Sequence, residues 1–245
     1  VSGTSISFGS AVVFNTAVTN DISVSIDPNT ANKFVVAYRD HGNSHRGTVN
    51  VGTISGTSIS FGSKVVFTTN RSDFNSLSFD PNTANKFVIA YHDDANSGYG
   101  TAIVGTVSGT SASFGTAAVF NSANTTPIRA SFDPSTAGKF VAVYRDYTSS
   151  LYYGRASVGT VSGTSISFGS KFAFVSASTN FTYMAFDPNT AGKFVVVFVD
   201  GGNSNKATAI LGQIAATVTA TNLTATNLIG ISAAAASSGA TAKIN

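Results

Sequence analysis

Apolar and polar positions in this chain are grouped in short runs that favour strands. In Lys33-Phe34-Val35-Val36-Ala37-Tyr38 both sides are apolar, with Phe34, Val36 and Tyr38 on one face and Val35 and Ala37 on the other. Such a run predicts a strand covered on both faces. Other runs are Ser76-Leu77-Ser78-Phe79, Gly100-Thr101-Ala102-Ile103-Val104-Gly105-Thr106 and Ser5-Ile6-Ser7-Phe8-Gly9-Ser10 continuing to Phe14. All are rich in β-branched or aromatic residues and are bounded by Gly, Pro, Asn and Asp. Asp-Pro-Asn-Thr marks a tight turn, where Pro fixes φ and Asp accepts from backbone amides beyond it. No repeat carries helical periodicity.

The runs recur. Val-Ser-Gly-Thr-Ser-Ile-Ser-Phe-Gly-Ser begins at Val1 and returns, lightly changed, at Ile54, Val107 and Val161. The Asp-Pro turn recurs at Asp27, Asp80, Asp133 and Asp187, at spacings of 53, 53 and 54 residues. One structural unit is therefore copied four times. Strands apolar on both faces need a sheet above and below, which radial stacking of four-stranded blades supplies.

The reading is an all-β, β-propeller-like array of four blades over residues 1–213, each running inner, second, third and outer strand. The last blade lacks an outer strand and the N-terminus has one to spare, Ser5–Phe14. This predicts a four-blade ring closed by the N-terminal strand, with a short Ala/Thr/Ser-rich tail at 214–245.

Comparing the copies separates constant from variable segments. Asp-Pro-Asn-Thr and Ser-Gly-Thr-Ser barely change. The segments Asn15–Asp21, Thr68–Asn75, Asn121–Pro127 and Val175–Thr182 differ in every copy, as do His41–Arg46, Asp94–Tyr99, Tyr147–Tyr153 and Gly201–Lys206. In an up-and-down blade the constant turns share one end and the variable segments the other. That predicts a scaffold with a recognition end; the rival reading is drift in unconstrained loops. The candidate contacts in the first two copies are His41, Asn43, His45, Arg46, Arg71, Asp73, Asp94, Asn96 and Tyr99. In the last two they are Tyr147, Tyr152, Tyr153 and Asn203. Tyr among Ser, Gly and Asn suits wet, adaptable contacts.

Charge and composition narrow the function. The net charge is +3 with charged residues at 10%, and the basic residues are scattered, which argues against a nucleic-acid groove or membrane insertion. No apolar run approaches the roughly 20 residues of a membrane-spanning helix. There is no Met at position 1 and no signal peptide, so the sequence is read as a fragment or a processed part of a longer chain. With no Cys, disulfides and thiolate metal sites are excluded. There is no Glu, and eight of the eleven Asp lie at two repeat positions, leaving Asp21, Asp73 and Asp94. A glycosidase needs two carboxyl groups with split roles, so the chain reads as no enzyme, with no catalytic residue and no cofactor. The Asp-x-x-Asn spacing at Asp40, Asp93 and Asp200 resembles a calcium loop. Too few carboxylates gather there, and Asp capping its own turn is the reading taken, with no metal. His41, His45 and His92 assemble no triad and read as solvent-facing.

The tail segment Asn227–Ala242, Asn-Leu-Ile-Gly-Ile-Ser-Ala-Ala-Ala-Ala-Ser-Ser-Gly-Ala-Thr-Ala, resembles a segment of tail-fibre and other virion proteins of marine bacteriophages. The Val-Gly-Thr-Val-Ser-Gly-Thr-Ser-Ile-Ser-Phe-Gly repeats are similar to repeats in the same proteins. The resemblance implies a place on the virion surface, outside cells, and a role in adhesion to a host glycan or outer-membrane component. Other virion proteins would join through the tail, and a homo-oligomer fits the same picture. A purely structural virion decoration or spacer and a bacterial surface adhesin are the rival functions.

Overall fold

The computed structural model describes residues 3–148 and 152–215. Residues Val1–Ile214 form one unit. The tail reading and its implied virion contacts fall, from residue 216, outside the described residues.

The described chain is all strand, turn and one-turn helix. The first unit holds β1 (Thr19–Ile26), β2 (Lys33–Asp40), β3 (Arg46–Ser55) and β4 (Ser58–Phe61), followed by β5 (Val65–Phe79). The second continues with β6 (Lys86–Asp93), β7 (Tyr99–Ser108), β8 (Ser111–Phe114) and β9 (Ala118–Phe132). The third has β10 (Lys139–Asp146), β11 (Tyr153–Ser162) and β12 (Ser165–Phe186), and the fourth β13 (Lys193–Asp200) and β14 (Lys206–Gln213). The first half of β5 pairs with β3 as an outer strand, and its second half pairs with β6 as the next inner strand. β9 and β12 do the same, so hydrogen bonding runs unbroken through one antiparallel path of twelve strands, with β4 and β8 paired beside it to β3 and β7.

Each unit lays one face on the next. Val35, Ala37, Val49 and Val51 of the first unit pack on Leu77, Phe79, Phe87, Ile89 and Tyr91 of the second. Val88, Ala90, Ala102 and Val104 then meet Ile128, Phe132, Phe140 and Tyr144. Val141 and Val143 meet Phe194, Val196 and Phe198. Burial on both faces of β2, β6 and β10 explains why these second strands read as continuous apolar runs. Tyr38, Tyr91 and Tyr144 are fully buried. Tyr38 Oη donates to Asn50 Oδ1 at 2.7 Å, and Tyr144 Oη lies 2.9 Å from Ser157 Oγ, so the buried polar tips are satisfied.

Two devices repeat at the constant end. Gly52, Gly105, Gly159 and Gly212 lie beneath the rings of Phe34, Phe87, Phe140 and Phe194, where a side chain would strike the ring. The turn aspartates clip neighbouring units together. Asp27 accepts from Asn29 N in its own turn and from Asn85 N of the second unit; Asp80 accepts from Asn82 N and Gly138 N.

The expected closed four-blade ring is overturned. β1 and β14 are the two edges of an open sheet, and Ser5–Phe14 does not pair with β14. Residues 3–18 form no strand, and 3–13 are exposed. Phe14 instead inserts against Tyr38 and Phe61, at centroid distances of 5.2 and 5.4 Å. The physical reason lies in the unit junctions. Each is packed with large rings on one side and small aliphatic side chains on the other, which fixes the turn per unit. Four such turns do not bring the first unit against the last.

Candidate functional site

Both sets of variable segments lie at one end of the strands, and a common frame holds them. Asp40, Asp93 and Asp200 end a second strand and precede the one-turn helices His41–Asn43, Asp94–Asn96 and Gly201–Asn203. Each helix stops at a left-handed serine, Ser44, Ser97 or Ser204. Asp40 and Asp200 accept from Gly42 N and Gly202 N, the turn-capping role taken by Asx residues; Asp93 accepts from Asn70 Nδ2 instead. Asn43 is half-buried, whereas Asp94, Asn96 and Asn203 are exposed. Arg46, Tyr99 and Tyr153 open the third strands opposite Asp40, Asp93 and Asp146.

Buried carboxylates anchor the frame. Asp146 is 1% exposed, pairs ionically with Arg155 Nε at 2.7 Å, and accepts hydrogen bonds from Lys171 Nζ at 3.2 Å, Asn121 Nδ2 at 3.1 Å and Thr148 N. Burial pushes its pKa up, but the hydrogen bonds from Thr148, Asn121 and Lys171 outweigh burial and hold it below the usual aspartate value. Asp40 is held low in the same way by Asn15, Lys64 and Gly42 N.

Between the first two units lies a charged cluster. Arg39 bridges Asp21, at 3.3 Å, and Asp73, and Arg71 Nε reaches Asp73 at 3.0 Å. Asp73 is buried under both guanidinium groups, so this candidate contact residue acts in the scaffold. Arg71 and His45 are exposed. His41 and His45 meet edge to face at 4.3 Å. Partial desolvation, with the positive charges of His45, Arg39 and Arg71, holds His41 below the ordinary histidine value.

His92, read as solvent-facing, is buried. The ring sits at a unit junction, its Nδ1 3.2 Å from Thr125 O and its plane edge-on to Phe74. Asp73, His92 and Asp94 bring possible ligand atoms within 4.8 Å of one another, a grouping that spacing in sequence did not reveal. Asp73 is already neutralised by two arginines, which leaves Asp94 as the second of the two carboxylates in the group. Arg39 and Arg71 beside it oppose a cation.

The third unit carries a different arrangement. Tyr147 and Tyr152 stand 4.5 Å apart, and the Arg145 guanidinium lies 4.6 Å from the Tyr147 ring centroid and 5.8 Å from that of Tyr152. Arg145 Nε donates to Thr126 O at 2.9 Å and Nη1 to Thr179 O at 3.2 Å, which fixes it beneath the rings. Tyr152 is 39% exposed. Next to it Arg155 lies 5.6 Å from the Tyr153 ring. An exposed aromatic face rimmed by hydroxyls and a guanidinium can stack on an apolar ligand face and donate to its oxygens. Arg145 was absent from the candidates. Its signal was the repeat position that reads Arg39, His92, Arg145 and Val199 across the units. A separate groove of about 360 Å³ runs beside the inner strands, lined by Asp21, Val24, Phe74, Asn75 and Arg129.

No protein-family model matches the chain, and no curated protein matches it in sequence. Among solved structures, a crystal structure of Sqt1 from Chaetomium thermophilum aligns over 78% of this chain and 47% of its own. Identity there is 14% and the TM-score 0.50. A second Sqt1 structure aligns over the same shares at 12% identity and a TM-score of 0.49. The chain spans about half the length of these structures. The likeness is one of fold, an all-β, propeller-like repeat array.

Proposed function

We propose that the chain is a non-enzymatic recognition module that binds a glycan or outer-membrane component of a host cell through its variable-loop end. The observation that carries this reading is the Tyr147–Tyr152 pair seated over Arg145. Its place on a tail-fibre-like virion appendage follows from the resemblance of the repeats and tail, and a bacterial surface adhesin would use the same face.

The test is binding of the labelled chain to host-type cells and envelope glycans, beside a Tyr147→Ala/Tyr152→Ala variant. Losing two stacking faces is expected to weaken binding about tenfold or more, equivalent to about 1.4 kcal/mol. The melting temperature should hardly move, because Tyr152 is exposed and Tyr147 half-buried. Unchanged binding by the folded variant would remove the tyrosine shelf from the reading. No binding by either form would favour the structural spacer.

A further inference from the structure

The two ends of the array expose surfaces that are buried against each other at every internal junction. On the fourth unit, Val195, Val197, Ala209 and Leu211 occupy the register of Val35, Ala37, Val49 and Val51 in the first. Those first-unit residues are at most 1% exposed, whereas Leu211 is 64% exposed. On the first unit, Val24 and Ile26 stand where Leu77 and Phe79 stand in the second. Leu77 and Phe79 are buried against the preceding unit, yet Val24 and Ile26 are about 60% exposed.

The N-terminal segment completes the match. Its later half is already docked like an outer strand on the unit that follows. Phe14 contacts Tyr38 as Phe67 contacts Tyr91 and Phe120 contacts Tyr144. Asn15 Nδ2 donates to Asp40 Oδ1 as Asn121 Nδ2 donates to Asp146 Oδ1. Gly9 lies against Thr57 as Gly62 lies against Thr110. The earlier half has no seat, and Ile6 and Phe8 are 82% and 90% exposed. Their repeat equivalents Ile59 and Phe61 pack within their own unit, Phe61 on Phe34 at 5.5 Å. The unit lacking that outer strand is the fourth, where Phe194 holds the place of Phe34 and the outer edge of β14 is unpaired among the described residues.

We propose that two copies of this chain associate head to tail. The Val195–Leu211 face of each copy would cover Val24 and Ile26 of the other, and Ser5–Phe14 of each would add to the partner's β14. The two surfaces differ, so the contact is heterologous and must either close or propagate. Two copies give eight units, within the range of closed propellers. One array also matches 47% of the Sqt1 fold, so two match its extent.

At the junction Asp187 would accept from the partner's Asn32 N, as Asp27 does from Asn85 N. Inside the chain, Ser23 and Ser25 Oγ accept from Leu77 N and Phe79 N. Tyr183 and Ala185 hold those serine positions in the fourth unit. The contact between copies therefore lacks two hydrogen bonds that the first and second junctions have. This inference is independent of what the loop end binds.

Light scattering and sedimentation velocity on the full chain test it. The expected mass at tens of micromolar is about twice 25.0 kDa. A front variant, Phe8→Asp/Ile26→Asp, and a back variant, Val197→Asp/Leu211→Asp, change only exposed side chains. Each should keep the wild-type circular dichroism and associate about 100-fold more weakly. Mixed in equal amounts they should recover the doubled mass, because one intact front then meets one intact back. Hydrogen exchange should show protection of 5–14 and Lys206–Gln213 in the pair. A wild-type chain that stays monomeric would overturn the proposal. So would front and back variants that still dimerise, or a ladder of larger species.

Discussion

Replacing Phe87 by alanine is expected to destabilise the protein by about 3–5 kcal/mol, the range for truncating a fully buried aromatic side chain. Phe87 is 0% exposed and contacts Phe79 and Phe114 at centroid distances of 5.4 and 6.0 Å. Its ring lies on Gly105, which offers no side chain to fill the space left behind. The residue also belongs to the cluster joining the first two units, so its loss weakens a unit and a junction together. In a repeat array, stability is a sum of unit and neighbour contributions. The same change at Phe194, in the end unit, should therefore cost less. Denaturant titration of the two variants gives the comparison. Equal losses would mean that the junctions contribute little and that the units fold independently.

The second large effect is expected at Asp146. An Asp146→Ala change should cost about 3 kcal/mol, because it leaves Arg155 without its buried anion. Lys171, about a third exposed, can turn to water, which keeps the cost at the low end of that range. Asp146→Asn keeps acceptor capacity for Thr148 N and Asn121 Nδ2 and should lose less. The two differ in pH dependence. The folded state holds Asp146 and Asp40 below the ordinary carboxyl value, so it binds fewer protons than the unfolded chain in that window. Their contribution is complete above about pH 4 and is lost as the pH falls through the lowered folded values. Asp146→Asn should flatten the acid limb of the stability profile; an unchanged limb would place the acid sensitivity elsewhere. On the alkaline side Tyr144 behaves oppositely. Burial pushes its hydroxyl up to about 12, so its contribution holds below about pH 10 and fades above it.

The units were legible in the sequence because their signals are local. Lys33–Tyr38 is apolar on both faces, and the Asp-Pro-Asn-Thr turn recurs at fixed spacing, so strand order and the separation of constant from variable segments could be read directly. Closure was not legible. An N-terminal outer strand and a fourth unit lacking one are complementary whether they belong to one chain or two, and the turn between units depends on how rings such as Phe87 seat on side chains such as Val35. His92 was misread for a related reason. It ends a strand where Arg39 and Arg145 also stand, and only the fold shows that Phe74 and Thr125 cover it. Arg145 beneath Tyr147 and Tyr152 was likewise invisible, since the rings come from two sides of a loop and the guanidinium is fixed by carbonyls of other strands.

The left-handed serines that end the one-turn helices have a consequence for engineering. Ser44, Ser97 and Ser204 have φ values of 56°, 54° and 53°, and the aspartates before the helices have φ values of −95°, −93° and −96°. The entry and exit of these loops are the same socket cut three times. The segments His41–His45 and Gly201–Asn205 therefore share a backbone path, but a side chain at Gly201 would meet Ser178 O at 2.9 Å, so a transplant into the fourth unit must keep that glycine. Under the proposed function, specificity would reside in cassettes held between the same aspartate and the same left-handed serine at three places along the frame.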